Sequence, residues 1–203
     1  MAAEPHAAAN RRTALARAGF QQIEEHPTYV NSIAGDAEML RAFHDSHRND
    51  TRKALREELR YSDALTSAEY LRLSRVTYGR FGQAGPEPAL VEGIERTLTA
   101  GGKALCSGVY AGGELVAASI VLHHGHNAFY LPGASSPAKP RGATTLIHFE
   151  NMRRLRERGV RSYDFGGALE GAEADDKARS IAAFKRRFGG ARVVGYGGRY
   201  RWF

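Results

Sequence analysis

Apolar residues recur at helical spacing along several stretches and alternate or run together in others, and the two patterns partition the chain. Met39, Leu40 and Phe43, continued by Ala54 and Leu55, predict a long helix starting at Asp36, whose carboxylate suits an N-cap. Thr66 and Glu69 form a capping-box signature ahead of Tyr70, Leu71, Leu73 and Val76, which predicts a helix ending near Tyr78-Gly-Arg80-Phe81-Gly82. Leu90, Ile94 and Leu98 predict a helix over 89–100, and Leu146, Phe149, Met152 and Leu155 one over 142–158, stopped by Gly159. A helix from Arg11 to Ala18 ends at Gly19. Extended segments are expected at Thr28–Ile33, Tyr61–Leu65, Lys103–Tyr110, Glu114–His123, His126–Pro132 and Val160–Phe165, with two more at Ala191–Val194 and Gly198–Phe203. In the last of these, alternation puts Tyr200 and Trp202 on one face and Arg199, Arg201 and Phe203 on the other. Gly112-Gly113 and Gly125 turn the three middle strands into an antiparallel meander. The helix over 142–158 then carries the chain to Val160–Phe165, parallel to the third meander strand, in a right-handed crossover.

The last third combines both patterns. Tyr163-Asp164-Phe165-Gly166-Gly167 reads as a buried strand stopped by two glycines, which permit a sharp turn or a close approach of ligand to backbone. Ile181, Phe184 and Phe188 then form one apolar stripe before Gly189-Gly190. Lys185 stands beside Phe184, at the stripe's edge. The loop between carries Glu170, Glu173, Asp175 and Asp176, read as a solvated acidic loop rather than a source of a catalytic carboxylate.

At 203 residues, 42% of them hydrophobic, the chain supports one domain with a real core, expected at 27–203 behind a tail and short helix at 1–26. Lys and Arg number 29 against 22 Asp and Glu, so an anionic partner such as nucleic acid, nucleotide or acidic membrane competes with a plain solubility surface. One cysteine, Cys106, in the apolar run Ala104-Leu105-Cys106, excludes an internal disulfide and thiolate metal sites and fits the cytoplasm. No run is long and apolar enough to span a bilayer. His44 and His47 lack a convincing third ligand and read as a solvated helix face; His123, His124 and His126 read as a turn surface, and no metal is expected. Walker, zinc and Ser-His-Asp patterns are absent.

Tyr163-Asp164-Phe165-Gly166-Gly167, followed by Phe184-Lys185-Arg186-Arg187-Phe188-Gly189, resembles the Fem family of aminoacyl-tRNA-dependent transferases. Gly19-Phe20, the Arg48-x-x-x-Arg52-Lys53-Ala54 stretch and Arg80 extend the likeness. The resemblance implies a GNAT-like acyltransferase fold, an α/β (α+β) architecture with a mixed, mainly antiparallel sheet flanked by helices. It implies peptide-bond formation between the aminoacyl group of a charged tRNA and an amine. Members typically carry two GNAT-like domains, whereas one is expected here. That size matches the small Fem-like alanyl-tRNA transferase of nucleoside-antibiotic (pacidamycin-type) assembly and points to a small peptide or carrier-bound peptide as acceptor. Lys185 is then the cation at the reacting carbonyl, Phe184 a wall or a stacking surface for the terminal adenine, and Arg48, Arg52, Lys53, Arg80 and Arg186 contacts to phosphates or substrate, with Tyr163 lining the site. Asp164 either takes the amine's proton or bonds loop amides; the sequence leaves both open. The GNAT pyrophosphate junction corresponds to Lys139-Pro140-Arg141-Gly142-Ala143-Thr144, where Pro140 removes an amide. Coenzyme A is thus the alternative rather than the primary co-substrate, and Lys139 and Arg141 remain free to meet another phosphate. A non-catalytic tRNA-binding module is the third reading.

Overall fold

The structure, a computed structural model, describes residues 5–131, 133–170 and 174–200. After helix α1 (Pro5–Arg17) the chain enters strand β1 (Gln21–Ser32), so residues 21–26 belong to the sheet rather than to a tail. There follow α2 (Asp36–Ala42), α3 (Asp45–Ala54), β2 (Leu59–Ser62), α4 (Ser67–Gly79) and α5 (Pro88–Gly93), which runs on as a π-helical turn through Ile94–Thr99. The meander β3 (Ala104–Ala111), β4 (Glu114–His124) and β5 (Asn127–Tyr130) leads through the short β6 (Ala134–Ser135) to α6 (Ala143–Glu157), β7 (Ser162–Gly167), α7 (Asp176–Arg186) and β8 (Ala191–Arg199). The sheet order is β2-β3-β4-β5-β7-β1-β8, with β6 paired to β4. Among the described residues only the β5–β7 pairing is parallel, as the crossover through α6 requires. This is the mixed, mainly antiparallel α+β sheet expected of a GNAT-like fold.

The two faces of the sheet are covered differently. On one, Val121, Ala128, Tyr163 and Phe165 pack against Phe149, Met152 and Leu155 of α6, joined by Phe43 and Phe188. On the other, α4 and α5 cover only the β2–β4 half, where Cys106, Ala118 and Ile120 meet Tyr70, Leu71, Leu73 and Val91. Thr66 caps α4 through a complete capping box.

Several elements depart from the pattern-based expectation. The long helix from Asp36 is two helices, because Phe43 and His44 are extended. Phe43 is drawn into the core against Phe149 and Phe188, and the His44 amide bonds the Arg187 carbonyl at 2.8 Å. Asp36 is not the N-cap. Gly35 takes that position without a side-chain bond, and Asp36 instead pairs with Arg153 and Arg156 at 3.0 and 2.8 Å. His47 is buried, not solvated. Ile181 is 41% exposed and leaves the stripe, while Phe188 lies past the end of α7. The two terminal strands are one, β8, paired with β1 from Gln21 to Val30. The faces assigned to Arg201, Trp202 and Phe203 lie outside the described residues.

Gly189, at φ 80°, locks this arrangement: a Cβ there would collide with the Ala42 carbonyl at the end of α2. Gly189→Ala combines a left-handed side chain with that clash, and is expected to cost about 3 kcal/mol. A lower denaturant midpoint at unchanged slope would register the loss; an unchanged midpoint would contradict the close backbone fit.

Candidate active site

The centre of the sheet opens at one point. β5 and β7 pair in parallel from Asn127↔Ser162 to Phe129↔Asp164. Beyond that, the chain after β5 turns to β4, where Ala134 pairs with Ala118, while β7 stays with β1 through Gly167↔Thr28. The two strands diverge, and Gly166, at φ 68°, forms the corner: a Cβ on it would lie 3.1 Å from the Tyr130 carbonyl. The glycine pair read from sequence as a strand break thus makes room between two central strands.

Lys185 reaches into this divergence from α7. Its Nζ donates to the Gly167 carbonyl at 2.7 Å and lies 5.9 Å from the centre of the Tyr130 ring, so it spans both strands. The side chain is buried, at 9% exposure. Burial lowers its pKa from 10.5 to about 8, and the field of Asp164 only partly offsets this. An ammonium so placed is charged at neutral pH but gives up its proton far more readily than a surface lysine.

Asp164 approaches the same strand end from the opposite face. Its Oδ1 accepts from the Gly166 amide at 2.8 Å and from the Thr28 hydroxyl, which also lies 2.9 Å from the Gly166 carbonyl. The structural role left open by the sequence is therefore real, yet it occupies one oxygen. Oδ2 makes no hydrogen bond among the described residues, and Asp164 lines a cavity of about 670 Å³ on the open face of the sheet.

Around Lys185 stands an aromatic wall. Phe184 is half-buried against the rings of His47 and His148, with centroids at 4.9 and 5.9 Å. The Tyr163 hydroxyl bonds His148 Nδ1 at 3.0 Å. His47 Nε2 donates to the Phe184 carbonyl at 3.1 Å, which fixes its tautomer. Burial depresses both imidazoles, His47 to about 4 and His148 to about 3, the latter helped by the Lys185 charge, so both stay neutral beside the ammonium. Sequence reasoning missed Tyr130, His47 and His148. The available signal was a polar residue on a buried stripe: His148 sits directly before Phe149 on the inward face of α6.

The other candidates do not join this cluster. Arg48 pairs with Asp45 and reaches the Phe43 carbonyl at 3.4 Å; Arg52 is exposed on α3; Lys53 pairs with Glu57 at 3.4 Å. Arg80 caps α4 and lies over the Phe81 ring, 3.4 Å from the Ser135 carbonyl. Arg186 is exposed on the rim, 3.8 Å from Glu170, which also accepts from the Tyr29 hydroxyl at 2.9 Å. Asp175 caps α7 and Asp176 pairs with Arg179, so these members of the acidic loop have structural partners, while Glu173 lies outside the described residues. At the start of α6, Arg141 is paired to Asp50 at 2.7 Å, and the Ala143 amide bonds the Pro140 carbonyl at 3.2 Å. Gly142 (φ 91°) packs so tightly on α3 that a Cβ would lie 2.5 Å from the Asp50 carbonyl. Arg141 remains largely exposed beside Asp50, and Lys139 is half-buried in the preceding loop. Among the described residues no group of three or more His, Cys, Asp or Glu is arranged to hold a metal, and no helix is long and apolar enough to cross a membrane.

The family model for an acetyltransferase (GNAT) domain matches residues 9–186. The chain belongs to that family. Over 97 residues it is 32% identical to the lipid II:glycine glycyltransferase of two Staphylococcus epidermidis strains, a stretch covering 47% of this chain and 22% of the glycyltransferase. Among solved structures, FemX superposes with a TM-score of 0.77 at 17% identity over 92% of this chain and 67% of that one. The L-PGS structure from Bacillus licheniformis gives 0.63 at 13% identity, over 92% and 63%. These superpositions establish the fold.

The Lys185 environment has a consequence for stability. The folded lysine deprotonates near pH 8, the unfolded one at its ordinary 10.5. Between those values the unfolded chain binds more protons, so the contribution of Lys185 makes stability rise with pH, by up to about 1.4 kcal/mol per unit. Lys185→Met should remove that rise in denaturation curves taken across the window; an identical pH dependence in the variant would place the ammonium in water.

Proposed function

We propose that the protein transfers an aminoacyl group from aminoacyl-tRNA to the amine of a small peptide or carrier-bound peptide, in the cytoplasm. The observation that carries this reading is Lys185: a buried ammonium set between two diverging central strands, on a chain related to a glycyltransferase. The amine lone pair attacks the ester carbonyl, a C–N bond forms, and the C–O bond to the terminal ribose breaks. The Lys185 ammonium is aimed at the carbonyl oxygen as negative charge develops there, the kind of preorganised cation that stabilises a tetrahedral intermediate. Its lowered pKa also suits it to give a proton to the departing ribose oxygen. Asp164 Oδ2, on the opposite face, is available for the proton released by the amine. Phe184 and Tyr163 close the site, and Phe184 offers a ring to the terminal adenine.

The acyl-coenzyme A alternative has weaker support, because the start of α6 is packed on α3 and Arg141 is already paired. Cys106 is unsuited as a nucleophile, since burial raises its pKa.

Incubation with charged tRNAs and amine acceptors, followed by mass spectrometry, should yield an aminoacylated product. Lys185→Ala should lower its rate roughly 100- to 1000-fold. Turnover of acetyl-coenzyme A in place of charged tRNA would replace the proposal with the alternative. Salt-sensitive tRNA binding without turnover, unchanged in Lys185→Ala, would reduce the protein to a binding module.

A further inference from the structure

A cavity of about 670 Å³ lies away from the Lys185 side of the sheet. It lies on the opposite face, where α4 and α5 stop short and β5, β7 and β1 are uncovered. Strand register builds its floor. Leu122 pairs with Phe129, Phe129 with Asp164 and Asp164 with Val30, so these four side chains form one row across β4, β5, β7 and β1. Leu98, from the π-helical turn, walls one end. Phe129, 45% exposed, is the apolar centre.

The ends of this trough carry opposite charge. Asp164 stands at one, with Oδ2 uncommitted. Lys103 stands at the other, just before β3, exposed and with no ion-pair partner among the described residues. His124, on the same strand face as Leu122, also lines the cavity. Lys103, opposite His123, and Asp164 are separated by three strand spacings and one residue along the strands, about 15 Å across the sheet. Side-chain reach shortens that gap to the span of about three extended residues. The volume, about 670 Å³, is that of a small-ligand site.

We infer that this trough is the acceptor subsite and takes a short, extended peptide with both termini free, its amino group at Asp164 and its carboxylate at Lys103. An apolar floor between an anion and a cation at that separation complements a zwitterionic oligopeptide, whereas a carrier-tethered chain would bring no carboxylate to Lys103 and a nucleotide no ammonium to Asp164. The inference rests on the aminoacyl-transfer reading only for the reaction that follows binding. The amine then sits on the open face at the point where β5 and β7 part, with Lys185 on the other side of the opening. Asp164 thereby selects an acceptor by its terminal amine as well as serving the proton.

Calorimetric titration of the intact protein with trialanine tests the site without any tRNA. Trialanine should bind, and N-acetyl-trialanine and trialanine amide should each bind about tenfold more weakly, as should trialanine to Asp164→Asn or Lys103→Ala. The Asn side chain can still accept from Thr28 and the Gly166 amide, so that variant keeps its local fold, which circular dichroism would verify. Equal binding of the blocked peptides, or no binding of trialanine, overturns the inference. So does a dimer that Phe129→Arg dissociates, because a second copy would then be the occupant. Charge-dependent trialanine binding with no transfer from any charged tRNA upholds the subsite and refutes the transfer reading. Transfer to another amine while trialanine fails to bind upholds the transfer reading and refutes the subsite.

Discussion

The hydrogen bond from Lys185 Nζ to the Gly167 carbonyl organises the centre of this molecule. Where β5 and β7 part company, the sheet loses the ladder partners that backbone groups there would otherwise have. One end of the gap is satisfied by the Asp164 carboxylate, which accepts the Gly166 amide, and the other by the Lys185 ammonium, which donates to Gly167. A divergence that would be a defect elsewhere is held open by two side chains of opposite charge, one from each face. The ammonium is sheltered by Tyr130 and the neutral His148 rather than by a close ion pair, which is why burial dominates its acidity.

That arrangement depends on packing some distance away. α7 can present Lys185 inward because Phe188 is locked under Phe43 and stacked on Phe165 at 4.6 Å. The backbone then turns at Gly189 against the end of α2. His47, from α3, grips the Phe184 carbonyl in the last turn. The helical layer α2–α3–α6–α7 is therefore a clamp on one lysine. The basic residues Arg48, Arg52 and Lys53 lie on α3, the helix that carries His47, with Arg52 and Lys53 exposed.

The sequence carried much of this in local form. The meander, the parallel crossover, the capping box at Thr66 and the break at Gly166-Gly167 follow from periodicity and turn chemistry, which act over a few residues. What it did not disclose needed contacts across the fold. Asp36 looked like a cap because its distant partners Arg153 and Arg156 are invisible in a local window. His47 looked solvated because its burial is set by α7, more than a hundred residues on. Asp164 could not be assigned to one role because it has two oxygens with different fates, and only the β1–β7 register, which brings Thr28 alongside, separates them. The trough on the open face is likewise a property of strand order: Leu122, Phe129, Asp164 and Val30 are adjacent only in the sheet.

In the proposed reaction a buried, acid-shifted ammonium at position 185 faces the reacting ester. Nuclear magnetic resonance of lysine carbon-labelled beside Nζ observes that group directly. A midpoint near pH 8, displaced when a stable amide mimic of an aminoacyl-adenosine is added, is the predicted result. A midpoint at the ordinary 10.5, indifferent to the mimic, would contradict the account.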